Sequence, residues 1–251
     1  MHSSPVEQPD PAQRRALLKA LGGLLEPEQI VHDEAALHAY ETDALTAYRQ
    51  VPMLVVLPAN TAEVAQVLKL CAEMDIKVVP RGAGTSLSGG ALPLADGIVL
   101  GMGKFNQILQ TDYANQCVVA QSGVTNLAIS EAVAERNFYY APDPSSQIVC
   151  TIGGNVSENS GGVHCLKYGL TTNNVLGLEL VTMQGEIIRL GGKTLDQAGY
   201  DLLGVLTGSE GLLGVITEVT VRILQKPQAV RAMLLGFPDN ASAGACVAGI
   251  I

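Results

Sequence analysis

The sequence has no tryptophan, and aromatic residues make up only 4% of its 251 residues. Its core must therefore be built from aliphatic side chains, which suits a sheet-rich α/β chain. Charged residues are also scarce, at 16%, whereas hydrophobic residues reach 47%. This composition excludes a disordered protein. At 251 residues, the chain is long enough to form one large domain or two smaller ones.

Positive charge is in deficit, because the formal net charge is −9. A chain with this charge would not attract nucleic acid or an anionic membrane surface. An anionic small molecule could still bind in a cleft. No stretch is apolar and long enough to cross a bilayer, and the N-terminus has no signal-peptide core. Five scattered cysteines form no C-x-x-C pair, which argues against a disulfide framework or a metal site. We therefore expect a reduced, cytoplasmic protein without bound metal, whose cysteines are small buried thiols.

The common nucleotide-binding motifs are also absent. The run from Pro80 to Gly90 reads PRGAGTSLSGG and follows an apolar strand at 76–79. Leu87 stands where the Rossmann pattern needs its third glycine, and the only GKT, at Gly192, lacks the upstream glycine of a P-loop. A glycine-rich turn after a strand can still present several backbone N–H groups to a phosphate, with Arg81 adding positive charge. On loop chemistry alone, a plain turn remains the alternative.

Periodicity predicts an α+β fold in two parts. Strands at 53–57 and 76–79 with a helix between them, capped at Thr61, predict a small parallel βαβ subdomain. Strands at 117–121, 175–182, 187–190 and 213–224 predict a mostly antiparallel sheet with flanking helices. The region 139–175, rich in glycine and small polar residues, is interpreted as a long functional loop.

Domain boundaries follow from this pattern. We expect an N-terminal helical segment at 1–50 and a two-part domain at 51–226, divided into 51–115 and 116–226. A new strand at 233–237 and a helix capped by Asp239 then predict that 227–251 begins a further, truncated domain.

A second glycine-rich segment runs from Thr151 to Gly162 and reads TIGGNVSENSGG. Its two Gly-Gly pairs permit close backbone approach, and its asparagine and serine side chains can donate and accept hydrogen bonds. Together with the turn PDPSS at 142–146, three segments could hold one long polar ligand.

These segments carry a resemblance. PRGAGTSLSGGALP, PDPSSQIVCTIGGNVSENSGG and the stretch from Leu203 to Ile223 resemble, in that order, the PCMH-type FAD-binding domain of the vanillyl-alcohol oxidase superfamily. The likeness covers about residues 30 to 251 and is strongest to the group of glycolate oxidase flavoprotein subunits and D-lactate dehydrogenases. The resemblance implies that FAD is the cofactor.

It also implies which residues bind FAD. The pyrophosphate would lie against Arg81, Gly82, Ala83, Gly84, Thr85 and Ser86, with Gly90 close by. The turn residues Pro142, Asp143 and Ser146 would line the cofactor. The ribityl chain and flavin ring would follow Thr151, Gly153, Gly154, Asn155, Ser157, Asn159, Gly161 and Gly162, with Tyr168 and Gly169 near the ring. The adenine end would meet Glu210, Gly211 and Ile216, largely through backbone groups.

The function that the resemblance implies is oxidation of a small 2-hydroxy acid of the glycolate or D-lactate class, with hydride transfer to flavin N5. Thr85 stands near the place where covalently flavinylated relatives carry histidine, so we expect non-covalent FAD. Relatives place the catalytic base and most substrate contacts in a cap domain, so the catalytic residues are expected beyond Ile251.

Three further expectations concern partners and alternatives. The resemblance to glycolate oxidase implies other subunits that pass electrons to membrane quinone, and membrane association through them. The alternative function is an FAD-binding module without catalysis of its own. Asp143, between two prolines, is interpreted as a turn residue rather than a general base, and Glu158 could either orient the loop or be exposed.

Overall fold

Two β-sheets organise the computed structural model, which describes residues 10–194 and 199–251. The first sheet has the order β1-β2-β4-β3 and the second the order β5-β6-β10-β8-β9, while β7 and β11 form a separate pair. The strands are β1 (Ile30–Val31), β2 (Leu54–Val56), β3 (Lys77–Arg81), β4 (Gly97–Gly101), β5 (Ile108–Asp112), β6 (Cys117–Gln121), β7 (Phe138–Tyr139), β8 (Val175–Val181), β9 (Ile187–Gly191), β10 (Val215–Arg222) and β11 (Leu224–Gln225).

The described ranges contain eight α-helices. They are α1 (Pro11–Leu21), α2 (Glu34–Leu37), α3 (Thr61–Glu73), α4 (Asn126–Val133), α5 (Ile152–Glu158), α6 (Cys165–Tyr168), α7 (Leu202–Leu206) and α8 (Asn240–Ile250). In the same ranges, no helix has both the length and the apolar character that a bilayer crossing requires.

The first sheet is parallel at its centre. β2 and β3 both run parallel to β4, which lies between them, and β1 pairs antiparallel with β2. Helix α3 connects β2 to β3, and its apolar residues at i, i+3, i+4 and i+7 form one buried face of Val64, Val67, Leu68 and Cys71. The helix begins where the Asn60 side chain accepts a hydrogen bond from the Glu63 amide, so the predicted cap at Thr61 is wrong by one residue.

The second sheet is antiparallel at every pairing. All seven residues of β8 are buried, since this strand lies between β10 and β9 and is covered by helices. The two cores join, because Val181 of β8 and Val215 of β10 pack into the cluster formed by the first sheet and α3. The predicted α+β fold, with a parallel part followed by an antiparallel part, is confirmed.

Two local predictions differ from the structure. The region 139–175 is not one long loop, because α5 and α6 interrupt it. The segment 233–237 forms no strand and its apolar side chains are exposed, although Asp239 does cap α8 as predicted. β5 pairs with β6 of the second sheet although it precedes the expected division at 115/116, and β1 of the first sheet lies in the segment 1–50.

The cysteines allow a test of the packing. All five are free; Cys71, Cys117 and Cys150 are buried as expected, whereas Cys165 is exposed and Cys246 is half-buried. Burial raises the pKa of the Cys71 thiol to about 12, so the reactive thiolate is scarce at neutral pH. A thiol reagent should therefore label Cys165 first and Cys246 next in the folded chain, as mapped by mass spectrometry. Denaturant should expose all five, and fast labelling of Cys71 in the folded chain would contradict this packing.

The α3 face makes a second prediction. Leu68 is 1% exposed in the core of the first sheet, whereas Leu234 is 100% exposed. Leu68→Ala should lower the free energy of unfolding by about 2–5 kcal/mol, because it removes buried methyl groups and leaves a cavity. Leu234→Ala is the matched control and should change it by less than about 0.5 kcal/mol. Chemical denaturation measures both, and equal effects would show that the packing is misassigned.

Candidate functional site

A pocket of about 300 Å³ opens where the two sheets meet. The loop that follows β3 forms one wall, α5 forms another, and the segment that leads into β10 forms a third. The carboxyl end of β6 contributes Ser122. Pockets of this size, lined by several convergent polar groups, are typical of small-molecule sites.

Backbone N–H groups of the glycine loop are available to a ligand. Within the described structure, the amides of residues 82–87 donate no hydrogen bond, whereas the Ser88 amide donates to the Ser86 hydroxyl. The loop turns at Gly84, whose φ of +69° is in the left-handed region. Successive unpaired amides in such a turn form a concavity that suits an anion.

Arg81 fixes the base of this loop. Its Nη1 donates hydrogen bonds to the carbonyl oxygens of Thr42 at 2.8 Å, and of Tyr40 and Ala91 at 3.4 Å. A Cβ on Gly84 would lie 2.5 Å from Arg81 Nη2, so the loop rests directly on the guanidinium. Burial lowers the pKa of Arg81, while the nearby Asp43 carboxylate opposes that shift. The positive charge predicted at this site is therefore held in place by backbone carbonyls.

Helix α5 approaches the second sheet closely because of its glycines. The Thr151 side chain caps the helix by accepting a hydrogen bond from the Gly154 amide, and the Gly153 amide donates to the Ser122 carbonyl oxygen at 2.8 Å. A Cβ on Gly153 would lie 2.7 Å from Ser122 Cβ. The amides of Gly153 and Gly154 are thus already used within the protein, and the free donors of the site lie in the 82–87 loop.

Two buried polar atoms in the pocket wall have no partner in the described structure. They are Nδ2 of Asn155, a residue 1% exposed, and Oγ of Ser122, a residue 3% exposed. An unpaired buried polar group costs free energy, so such groups mark a place where a ligand supplies the missing hydrogen bond. A donor amide and a hydroxyl fit a polar cofactor with phosphate, carbonyl or hydroxyl oxygens.

Most of the predicted site residues line this pocket. The sixteen that do are Arg81, Gly82, Ala83, Gly84, Thr85, Ser86, Gly90, Ser146, Thr151, Gly153, Gly154, Asn155, Ser157, Glu210, Gly211 and Ile216. Sequence reasoning did not select eleven others, namely Pro80, Leu87, Ser88, Ala91, Met102, Ser122, Cys150, Glu158, Ser160, Gly214 and Val215. Of these, Ser122 had a signal, because it directly follows the buried strand β6 and precedes a glycine.

Seven predicted residues lie outside the pocket lining. They are Pro142, Asp143, Asn159, Gly161, Gly162, Tyr168 and Gly169. Asp143 Oδ2 lies 2.6 Å from His164 Nδ1, which joins the 142–146 turn to the segment that follows α5. Asn159 ends α5 in the left-handed conformation. Asp143 thus connects two segments beside the pocket without lining it.

The chain matches a known protein family and several curated proteins. The profile of the FAD binding domain family matches residues 52–191. Glycolate oxidase subunit GlcD of Escherichia coli (strain K12) is 51% identical over 238 residues, which cover 95% of this chain and 48% of that protein. D-lactate dehydrogenase of Archaeoglobus fulgidus is 40% identical over 209 residues, covering 82% of this chain and 47% of that protein. The chain thus spans about half the length of the curated relatives it matches.

A solved structure supports the fold. Alkyldihydroxyacetonephosphate synthase superimposes with a TM-score of 0.76 at 24% identity, covering 91% of this chain and 43% of that one. At this level of identity the likeness concerns the fold alone.

The contact between Gly153 and Ser122 makes a prediction for the site. In Gly153→Ala the new methyl group would lie 2.7 Å from Ser122 Cβ and 3.0 Å from its carbonyl oxygen, so α5 has to move away from β6. We expect unfolding free energy to fall by about 1–3 kcal/mol from overpacking. Gly103→Ala is the control, since nothing lies within 4 Å of a Cβ there. Thermal unfolding of both variants is the measurement, and equal midpoints would contradict the tight contact.

Proposed function

Since the chain belongs to the FAD binding domain family, we propose that its pocket holds FAD without a covalent bond, as part of a 2-hydroxy-acid oxidising flavoenzyme. One observation carries the proposal: hydrogen-bonding groups without a partner face each other across the pocket. They are the amides of residues 82–87 on one wall, and the Asn155 amide nitrogen and the Ser122 hydroxyl on the facing wall. When bound, FAD supplies the redox chemistry by accepting a hydride from the substrate.

In this proposal, different residues of the chain bind different parts of FAD. The loop amides donate to phosphate oxygens, with Arg81 holding the loop from below. Ser122 and Asn155 donate to further cofactor oxygens. Because Gly153 has no side chain, α5 packs directly against the end of β6 and leaves no room there for water. Non-covalent binding is proposed because Thr85, in the pocket lining, stands near the place where covalently flavinylated relatives carry histidine.

The proposed domain organisation divides the chain by sequence, although β1 in the first segment joins the first sheet and β5 in the first part joins the second sheet. Residues 51–226 form the FAD-binding unit, with parts at 51–115 and 116–226, after a helical segment at 1–50, and 227–251 begins a cap domain. The exposed apolar side chains of Val230, Met233 and Leu234 support a further covering part of the protein. The catalytic base and most substrate contacts belong to that cap.

The proposed substrate is glycolate or D-lactate, because curated relatives with those activities in their names are 40–51% identical. GlcD is named as a subunit, which supports partner subunits that take electrons onward to a membrane quinone. In that case the protein is cytoplasmic and reaches the membrane through its partners.

A second candidate is a cofactor-holding unit without catalysis of its own. The observation that favours it is that the chain spans 48% of the first relative, and that half contains the pocket. Anaerobic addition of glycolate or D-lactate to the FAD-loaded chain separates the candidates. Bleaching of the flavin absorbance supports the enzyme, and an unchanged spectrum supports the cofactor-holding unit.

Cofactor binding itself is tested by reconstitution. The purified chain, incubated with FAD and desalted, should retain flavin absorbance, and acid precipitation should release all of it into the supernatant. Gly103→Ala should behave in the same way, whereas Gly153→Ala should retain less flavin. A chain that stays colourless would refute FAD binding, and flavin that remains in the acid pellet would refute non-covalent attachment.

A further inference from the structure

A short segment of the N-terminal region contacts the glycine loop from outside the pocket. It comprises residues 40–45, and we name it the loop support. The Thr42 carbonyl oxygen accepts a hydrogen bond from Arg81 Nη1 at 2.8 Å, and the Ala44 amide donates to the Gly84 carbonyl oxygen at 2.9 Å. The loop support therefore holds the glycine loop both at its base and at its turn.

Asp43 lies between these two contacts. It is 5% exposed, its Oδ1 accepts a hydrogen bond from the Leu45 amide at 2.8 Å, and its Oδ2 has no hydrogen-bond partner in the described structure. A buried carboxylate oxygen without a partner is costly unless an opposite charge lies nearby. Burial lowers the pKa of Arg81 and the Asp43 carboxylate opposes that shift, so the guanidinium is the charge that Asp43 feels.

The guanidinium of Arg81 stands between Asp43 and the glycine loop. Its Nη1 donates to the loop support, whereas its Nη2 would lie 2.5 Å from a Cβ on Gly84. Among the ion pairs of the described ranges, none joins Asp43 to Arg81 directly, so their attraction acts through space. An anion held by the loop amides would meet the same guanidinium from the other side.

The charge of Arg81 matters because it has no substitute in the pocket. Arg81 is the one basic residue among the described residues of the lining, and Asp43 does not line the pocket. A negative charge behind Arg81 offsets its attraction for an anion in front of it. The loop support also precedes the matched family profile, which begins at residue 52.

From this arrangement we infer that Asp43 is the internal counter-ion of Arg81 and limits how tightly the glycine loop holds an anion. The identity of that anion, the pyrophosphate of FAD, rests on the proposed function. Without a ligand, Asp43 compensates the half-buried guanidinium. A bound pyrophosphate competes with Asp43 for the same positive charge, and the two negative groups repel each other. Asp43 thereby lowers cofactor affinity without touching the cofactor.

Removal of this one charge tests the inference by sign. Asp43→Asn keeps an oxygen that can accept from the Leu45 amide. The variant should bind FAD about tenfold more tightly, because the repulsion between Asp43 and the phosphates is lost. Isothermal titration calorimetry of the chain with FAD, and separately with inorganic pyrophosphate, measures both dissociation constants. If Asp43 only held the loop in shape, binding would weaken, so weaker or unchanged binding of both ligands overturns the inference.

Asp239→Asn is the matched control. Asp239 also accepts a hydrogen bond from a backbone amide, that of Ser242, but it caps α8 and does not line the pocket. This variant should bind both ligands as the unmodified chain does. If the unmodified chain and the control bind pyrophosphate but no FAD, the proposed function fails, and the pyrophosphate constants still decide the inference.

Stability gives a second test that needs no ligand. Asp43→Asn leaves the Arg81 guanidinium without its counter-ion, so the urea midpoint of unfolding should fall. Arg81→Gln added to this variant should raise the midpoint again, because the uncompensated charge is gone. A double variant that is no more stable than Asp43→Asn overturns the counter-ion assignment. The same comparison decides the matter if Asp43→Asn alone does not fold or if the unmodified chain binds neither ligand.

Discussion

The site depends on the close approach of backbone segments at the seam between the two sheets. Gly82 and Gly153 lie where a side chain would collide with Thr151 and Ser122, and Gly123 packs against the carbonyl oxygens of Met102 and Phe105. The contacts of Gly82 and Gly123 join segments near the two sheets, whereas Gly153 packs α5 against the end of β6 in the second sheet, so the missing Cβ atoms set the separation of the walls. A single methyl group at this seam would push the walls apart and move every donor in the pocket.

The packing of helix α5 determines which groups of the site can donate hydrogen bonds to a ligand. Because its first amides already bond to Ser122 and Val124 carbonyl oxygens and to the Thr151 hydroxyl, the helix terminus offers no free donors to an anion. The same packing turns the Asn155 side chain toward the pocket and buries it. Anion binding is therefore left to the loop after β3, where glycine allows the chain to turn with its amides unpaired.

The longer strands and the order of a parallel part before an antiparallel part could be predicted, because alternation and buried apolar runs are local signals. The residues that line the pocket were instead implied by the resemblance of three segments to a known family. The helix over 152–158 could not be predicted, since Gly153 and Gly154 disfavour helix in isolation and only contact with β6 and the Thr151 cap stabilise it. The approach of Glu158 and Glu210 to Gly90 was also out of reach. Glu158 and Glu210 are 52 positions apart in the printed sequence, and only the fold brings both beside Gly90. Apolar character alone likewise predicted a strand at 233–237 that has no neighbouring strand to pair with in the described residues.

Electrostatics explains why the position of each donor matters more than the total charge. The chain carries a net charge of −9, and the pocket lining contains Arg81 against Glu158 and Glu210. Long-range attraction therefore contributes little to holding a ligand with two phosphates. Oriented neutral dipoles, such as the loop amides, can still hold such a ligand at short range. Their positions are set by the fold, so they need no reorganisation when the ligand binds.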